Sequence, residues 1–195
     1  MDTIRDNQIL DELKRRLKPE RLYHSICVAE QAKHLAAIYG ADEDKAYTAG
    51  LAHDIMKYED PQDALRMIEE DGKNKLSERD KRIIPTLHAV AGEVFLRTKM
   101  GITDEEILSA VRYHTTGREN MTLMEKIIYV SDLTGKDRDY PDVDDVRRAA
   151  ETNIDMACLM GVKFTIEKNV LKNKTINIDT IKAYNYFAER IKDNG

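Results

Sequence analysis

The sequence is poor in the residues and segments that mark several classes of protein. It has two cysteines, Cys27 and Cys158, which lie far apart and offer neither a disulfide framework nor a zinc knuckle. The N-terminal stretch MDTIRDNQILDELKRR is polar and lacks the apolar run of a signal peptide or membrane span. These absences predict a cytoplasmic protein from a reducing compartment, with no membrane partner.

Positive charge is also in short supply. The chain has 31 lysines and arginines against 36 aspartates and glutamates, a net charge of -5 at pH 7. No basic face is therefore expected, and nucleic acid is not predicted as a partner. Four prolines, nine glycines and no low-complexity tract leave nothing that marks a linker. The 195 residues are predicted to form a single domain, 1–195, that begins with a short polar helix.

Apolar residues recur at helical spacing along nearly the whole chain, and strand-like alternation is scarce. Two capping boxes, each with an N-cap hydroxyl followed three residues later by a glutamate, agree with this: Thr103 with Glu106, and Thr122 with Glu125. The predicted fold class is all-α. The predicted helices lie at roughly 8–17, 20–40, 42–57, 61–71, 78–98, 104–115, 122–133, 143–160 and 179–192.

Four of the five histidines occupy unusual positions for such a fold. His24, His53, His88 and His114 lie among small or apolar residues, where an unpaired imidazole is costly to desolvate. Four such rings predict a shared partner. His34 comes ten residues after His24 and so points from a different face of the same helix. We interpret it as an ordinary hydrogen-bonded core residue.

Two carboxylates accompany these histidines. Asp54 follows His53 directly in AHDIMK, and Asp132 ends the apolar stretch KIIYVSD. Taken alone, Asp54 is equally an ordinary helix-end carboxylate and Asp132 a cap for the next turn. A carboxylate in apolar surroundings is expensive unless it is paired or bound to a metal, so its conjunction with four histidines favours a metal site. Imidazole and carboxylate ligands suit iron, manganese, zinc or cobalt.

The order of these residues carries a resemblance to a known family. The six residues are, in chain order, His24, His53, Asp54, His88, His114 and Asp132. This order resembles the HD superfamily of metal-dependent phosphohydrolases, and the extra histidine pair matches its binuclear branch. HSICVAEQAKHLAAIYG, KAYTAGLAHDIMK, LHAVAGEVFL, AVRYHTTGRENMTLMEKIIYVSD and RDYPDVDDVRRAA resemble the YqeK family of symmetrical bis(5′-nucleosyl)-tetraphosphatases. The similarity covers about residues 18–190, the expected domain core.

The resemblance implies an all-α HD-domain helical bundle that uses metal-activated water to cleave diadenosine tetraphosphate into two ADP. It implies two metal ions, with iron expected and manganese, zinc or cobalt as alternatives. The implied ligands of the first metal are His24, His53, Asp54 and Asp132. Asp54 would bridge to the second metal, which His88 and His114 would complete. Two metals about 3.5–4 Å apart can activate water and offset phosphoryl charge together.

A set of phosphate contacts is expected around these metals. Lys57 lies one turn after His53 on the same side of the helix, so its ammonium can approach a metal-bound phosphate. Asp54 and Lys57 are the expected catalytic residues, although a solvated lysine at a helix end explains Lys57 equally well. The expected substrate-binding residues are Lys57, Thr115, Thr116, Gly117, Arg118 and Arg138. A helix C-terminus that ends in glycine explains HTTGR equally well.

One segment departs from the family pattern. After the metal aspartate the family favours ADYIEPGR, whereas this chain reads SDLTGKDR, which keeps Asp132 and Arg138 but changes the Leu133–Asp137 loop. We expect altered substrate contacts there and unaltered metal binding. Two other functions stay open: an HD hydrolase of nucleoside monophosphates, deoxynucleoside triphosphates or guanosine alarmones, and a non-catalytic nucleotide-binding sensor. A sensor would typically lack a ligand, and none is missing here. A homodimer also stays open.

Overall fold

The computed structural model describes residues 3–193, so the two ends of the predicted domain lie outside the described residues. The described part forms helices and no strand, as the all-α prediction requires. The α-helices are α1 (Thr3–Arg16), α2 (Pro19–Tyr39), α3 (Glu43–Ala52), α4 (Pro61–Asp71), α5 (Ile84–Lys99), α6 (Glu105–Tyr113), α7 (Leu123–Thr134), α8 (Val143–Thr152), α9 (Ile154–Leu171) and α10 (Ile178–Asp193). Between residues 3 and 193, no helix combines the length and apolar character needed to cross a bilayer.

The centre of the fold is the packing of α2 against α3 and α7, with α6 alongside α3 and α7. Gly50 permits a close approach of α3 to α2, because a Cβ atom there would lie 2.9 Å from the Cα of Ala29. Apolar side chains such as Leu35, Leu51 and Ile127 fill the space between these helices. This packing brings the start of α2, the end of α3 and the end of α7 to one place.

Helices α3 and α6 end earlier than predicted, and the reason lies in two histidines. The predicted 42–57 helix stops at Ala52, and the predicted 104–115 helix stops at Tyr113. The Nδ1 of His53 lies 2.7 Å from the carbonyl oxygen of Gly50, and the Nδ1 of His114 lies 2.7 Å from that of Val111. These carbonyls lie in the last turn of each helix, where no backbone amide of the helix donates to them. The imidazole Nδ1–H donates to them instead.

Other boundaries were wrong for reasons of local chemistry. The predicted 143–160 helix is two helices, because the side chain of Asn153 accepts a hydrogen bond from the Met156 amide at 3.1 Å and starts α9. The predicted 78–98 helix has its α-helical part from Ile84, with Pro85 in its first turn, where proline is favoured. Helix α1 extends back to Thr3.

The two predicted capping boxes had different outcomes. Thr122 and Glu125 form theirs at the start of α7, with reciprocal bonds of 3.2 Å and 2.9 Å. The box of Thr103 with Glu106 was wrong. Asp104 is the N-cap of α6, and its carboxylate accepts from the amide of Glu106 at 2.9 Å, because a carboxylate one residue later is the stronger acceptor for these amides.

Candidate metal centre

Five helices place the predicted metal ligands together in one cluster, which is buried except at Asp132, whose side chain is 19% exposed. It contains His24 of α2, His53 and Asp54 after α3, His88 of α5, His114 after α6 and Asp132 of α7. The four imidazoles form a row: the ring centroids of His24 and His53 are 5.3 Å apart, those of His53 and His114 are 4.9 Å apart, and those of His114 and His88 are 5.1 Å apart. We call these six residues the ligand cluster.

Asp54 lies in the middle of the ligand cluster with no exposed surface. One carboxylate oxygen, Oδ1, lies 3.0 Å from Nε2 of His88 and 3.5 Å from Nε2 of His114. The other, Oδ2, lies 3.2 Å from Nε2 of His53. The two oxygens therefore face histidines on opposite sides, an arrangement that suits a carboxylate shared by two metal ions.

The second half of the ligand cluster is built around Asp132. Its Oδ1 lies 2.9 Å from Nε2 of His24 and 3.9 Å from Nε2 of His53. His53 thus faces both aspartates, and its Nδ1 can only donate to the carbonyl of Gly50, which leaves the Nε2 lone pair for a metal.

The donor atoms of the ligand cluster fit a metal. Two groups of three have ligand atoms within 4.8 Å of one another: His24, His53 and Asp132, and His53, Asp54 and His114. Within the described part of the chain, Nε2 of His53 and both carboxylate oxygens of Asp54 are buried and have no partner in hydrogen-bond geometry, although Arg21 and Lys57 form ion pairs with the two oxygens. Buried polar atoms without hydrogen bonds are costly, and coordination to metal is the partner that this donor set offers.

The ionisation states of the ligand cluster also suit metal binding. Burial lowers the pKa of His53 and lowers the pKa of His88 to about 4, so both rings are neutral at pH 7. Burial alone would raise the pKa of Asp54, but its interactions with His53, His114 and His88 outweigh burial and hold that pKa well below its usual value. Neutral imidazole beside ionised carboxylate is the state that ligates metals.

Three cations border the ligand cluster. The guanidinium of Arg21 contacts Oδ2 of Asp54, and the ammonium of Lys57 lies 3.3 Å from Oδ1 of Asp54 and 3.1 Å from Nε2 of His88. Arg138 donates from Nε to the backbone carbonyl of Asp132 at 2.6 Å and also contacts its carboxylate. Lys57 therefore points into the cluster, although 31% of its side chain is exposed.

Sequence reasoning missed Arg21 and Asp137. Arg21 precedes His24 by three residues, so the helical repeat places both on one face of α2, and that spacing was the available signal. Asp137 lies in the loop after α7, with its Oδ2 2.7 Å from Nδ1 of His24. No spacing rule connects two residues that are 113 positions apart.

The segment after α6 divides into one residue at the cluster and three elsewhere. The hydroxyl of Thr115 lies 2.9 Å from Nε2 of His114 and 3.4 Å from Nε2 of His88. Thr116 donates its hydroxyl to the carbonyl of Gly117 at 2.8 Å. Among the described residues, no hydrogen bond or ion pair joins Thr116, Gly117 or Arg118 to the ligand cluster.

Gly117 and Arg118 have structural partners. Gly117 has a φ of +61°, and its amide donates to the carbonyl of Tyr113 at 2.8 Å, as expected for a glycine that ends a helix. The Nε of Arg118 lies 2.9 Å from a carboxylate oxygen of the buried Glu125. Gly117 thus makes the contact of a helix C-terminus, and Arg118 pairs with the first turn of α7.

His34 was placed in the core by the sequence, and that was wrong. More than half of its side chain, 53%, is exposed, and its Nε2 lies 3.4 Å from a carboxylate oxygen of Glu151. Position in the helical repeat separated His34 from His24 correctly, but α8 covers only part of that face of α2, which leaves the ring in solvent.

A cavity of about 490 Å³ opens beside Thr115. The start of α5 forms one wall, and the end of α9 with the segment before α10 forms the other. Its lining includes Ile83, Ile84, Pro85, Thr115, Asn169, Asn173 and Asn177. Apolar side chains and three amides thus line a space that adjoins the ligand cluster.

Comparison with known proteins agrees with this geometry. A family model described as the HD domain matches residues 21–136. The chain belongs to the HD domain family. The symmetrical bis(5′-nucleosyl)-tetraphosphatase of Bacillus subtilis (strain 168) is 37% identical over 177 residues, 90% of this chain and 94% of that protein. The protein of the same name from Halalkalibacterium halodurans is 39% identical over 178 residues, 90% of this chain and 93% of that protein.

A solved structure also matches the fold of this chain. A protein from Clostridium acetobutylicum, described as a predicted HD superfamily hydrolase involved in NAD metabolism, matches with a TM-score of 0.91 at 37% identity, over 94% of this chain and 97% of that one. The prediction of an all-α HD-domain fold is therefore confirmed. The HD-domain match contains the whole ligand cluster and ends at Lys136, so Asp137 and Arg138 lie just beyond it.

If the HD-domain centre holds two metals, the histidines should divide between them. We expect His88→Ala and His114→Ala each to lower the bound metal from two ions per chain toward one, because both rings face only the Oδ1 side of Asp54. Elemental analysis after dialysis against excess Mn²⁺ measures this. His34→Ala, with its exposed ring, is the matched control and should keep the parent's metal content. One ion per chain in the parent protein would contradict the division.

Proposed function

We propose that this HD-domain protein is a metal-dependent hydrolase that cleaves dinucleoside tetraphosphates symmetrically, so that diadenosine tetraphosphate yields two ADP. The observation that carries the proposal is the buried Asp54, whose two carboxylate oxygens face different histidines and which has Lys57 beside it. Relatives of this chain are named for this reaction. The proposal keeps iron as the expected metal and the cytoplasm as the expected setting.

The chain's own residues account for much of the chemistry. Metals bound at such a centre lower the pKa of water and offset charge on phosphoryl oxygens. Lys57 is placed to offset further phosphate charge, since its ammonium already lies beside Asp54 and His88. Arg21 and Arg138 border the other side, so three cations surround the place where a polyphosphate must lie. The hydroxyl of Thr115 can donate to a phosphate oxygen.

The cavity beside Thr115 suits a nucleoside. Its volume of about 490 Å³ is within the range of ligand pockets, about 300–1,000 Å³. The side chains of Ile84 and Pro85 offer apolar contact to a base, and the amides of Asn169 and Asn173 can donate and accept hydrogen bonds at its edges. We propose that one nucleoside lies here while its phosphates extend past Thr115 to the ligand cluster.

Other functions make different demands on the site. A nucleotide-binding sensor does not need a complete ligand set, yet all six predicted ligands lie in one cluster. Hydrolases of nucleoside monophosphates or deoxynucleoside triphosphates would need neither a chain of four phosphates nor cleavage at its middle. The products of diadenosine tetraphosphate therefore distinguish the proposed reaction from its relatives.

We expect early hydrolysis of diadenosine tetraphosphate to release ADP alone, because cleavage at the middle bridge divides four phosphates equally. Chromatography of products from the metal-loaded enzyme measures this. In water labelled with heavy oxygen, the label should enter the terminal phosphate of one ADP per substrate. NAD⁺ is the comparison substrate, because its two phosphates join different nucleosides and give no chain of four phosphates to divide equally. ATP and AMP as the main pair would contradict symmetrical cleavage.

A further inference from the structure

The side chain of Asp137 holds a metal-cluster histidine from behind. Its Oδ2 lies 2.7 Å from Nδ1 of His24, whose Nε2 lies 2.9 Å from Oδ1 of Asp132. His24 is only 3% exposed, and the side chain of Asp137 is 17% exposed. Both ring nitrogens thus face carboxylate oxygens, which only accept hydrogen bonds. His24, His53 and Asp132 are grouped closely enough to share one metal ion, and a metal bound at Nε2 leaves the ring proton on Nδ1, where it donates to Asp137.

His24 needs a partner that His53 and His114 do not need. Those two rings donate to carbonyls of Gly50 and Val111, which lie in the last turns of α3 and α6 and have no helical donor. His24 lies within α2, where the carbonyls one turn earlier are already bonded to helical amides. Its Nδ1 therefore requires an acceptor from another part of the chain, and Asp137 supplies it.

The loop that carries Asp137 is itself held in place. Arg147 of α8 donates from Nη2 to the carbonyls of Gly135 and Arg138, each at 2.9 Å, and from Nε to that of Thr134 at 3.1 Å. The amide of Arg138 donates to Gly135 at 2.9 Å. Because bonds on both sides of Asp137 fix the backbone, its carboxylate is presented to His24 at a defined position.

We infer that Asp137 is a positioning residue: it fixes the tautomer and ring orientation of His24 and makes its Nε2 a better metal ligand. Asp137 does not itself coordinate metal in this role. A carboxylate behind a ligating imidazole raises the basicity of the ring, and loss of such a partner typically costs about 10–100-fold in metal affinity. The inference rests on the proposed function only through the metal centre.

The test is Co²⁺ binding to Asp137→Ala by equilibrium dialysis, with free Co²⁺ set by a chelator and no nucleotide present. We expect the binding curve to shift to about 10–100-fold higher free Co²⁺. The Asp137→Asn curve should lie between those of Asp137→Ala and the parent, because its amide oxygen still accepts from Nδ1 but carries no charge. Since nucleotide is absent, the result is independent of whether the protein cleaves diadenosine tetraphosphate.

Asp139→Asn is the matched control, because Asp139 is exposed and lies two residues further along the same loop. It should bind Co²⁺ as the parent does. Unchanged binding by Asp137→Ala would overturn the inference. An equally large shift of the Co²⁺ curve in Asp139→Asn would also overturn it, since the loss of any negative charge from this loop would then be sufficient.

Discussion

The Asp54→Asn protein is expected to lose hydrolysis of diadenosine tetraphosphate by at least about 1000-fold while it keeps its helical structure. Both carboxylate oxygens of Asp54 are buried among histidines, with Arg21 and Lys57 as neighbouring cations. Asparagine has nearly the same shape but replaces one anionic oxygen by an amide nitrogen, which cannot ligate a metal. The negative charge and one of the two oxygens that face the histidines are therefore lost, while the packing around the side chain is kept.

In this experiment, activity and metal content should change while helix content should not. Turnover and metal content should fall, while the far-ultraviolet circular dichroism spectrum should match that of the parent, because neighbouring Ile55 and Met56 still fill the core. Asp139→Asn, an exposed aspartate outside the ligand cluster, is the control for the loss of one negative charge. Activity of Asp54→Asn within a few-fold of the parent would refute the assignment of Asp54 to the centre.

The metal-free protein is expected to lose stability as the pH falls from 7 to 5. His53 and His88 have lowered pKa values because they are buried, and the pKa of His88 is about 4. Below pH 6.5 the unfolded chain binds protons at these residues that the folded chain does not bind, so the free energy of unfolding decreases. For His88 the loss between pH 7 and 5 is about 2 kcal/mol, and His53 adds to it in the same direction.

Urea unfolding of chelator-treated protein at several pH values measures this loss. The lowered pKa of Asp54 and of Asp132 affects stability only below pH 4, outside the chosen range. His88→Gln should remove its share of the pH dependence, whereas His34→Gln, at an exposed ring, should keep the full dependence. Equal free energies of unfolding at pH 7 and pH 5 in the parent protein would contradict the neutral, buried state of these histidines.

The helical fold and the identity of the ligand cluster were accessible from the sequence because both depend on short-range patterns. Apolar residues at helical spacing indicated helices, and Thr122 with Glu125 indicated the start of α7. Histidines and aspartates in apolar surroundings indicated a shared partner, since burial of such groups alone is too costly. Their conjunction favoured a metal site, and the resemblance of their order to HD hydrolases implied how two metal ions would share them.

The contacts around the ligand cluster depend on which helices lie opposite one another, and no local pattern contains that information. The 3.6-residue repeat tells which face of α2 carries His24, but only the packing of α2 against α7 brings Asp137 to its Nδ1. Similarly, Arg118 lies close in sequence to the predicted ligand His114, yet the structure pairs it with Glu125 in the first turn of α7. Thr115, three residues earlier, lies against the cluster.

The sequence by itself determined that this chain forms helices, and that four histidines and two aspartates lie in apolar surroundings where they need a common partner. These conclusions follow from the periodicity of apolar residues and from the cost of desolvating charge. Only the tertiary structure decided that Asp54 stands between the histidines, that Arg21 and Lys57 border it, and that Asp137 supports His24. Distances between residues far apart in the chain are set by how whole helices pack. Because a helix packs as a rigid unit, its close approach to a neighbour at one residue, such as Gly50, fixes the positions of all its side chains.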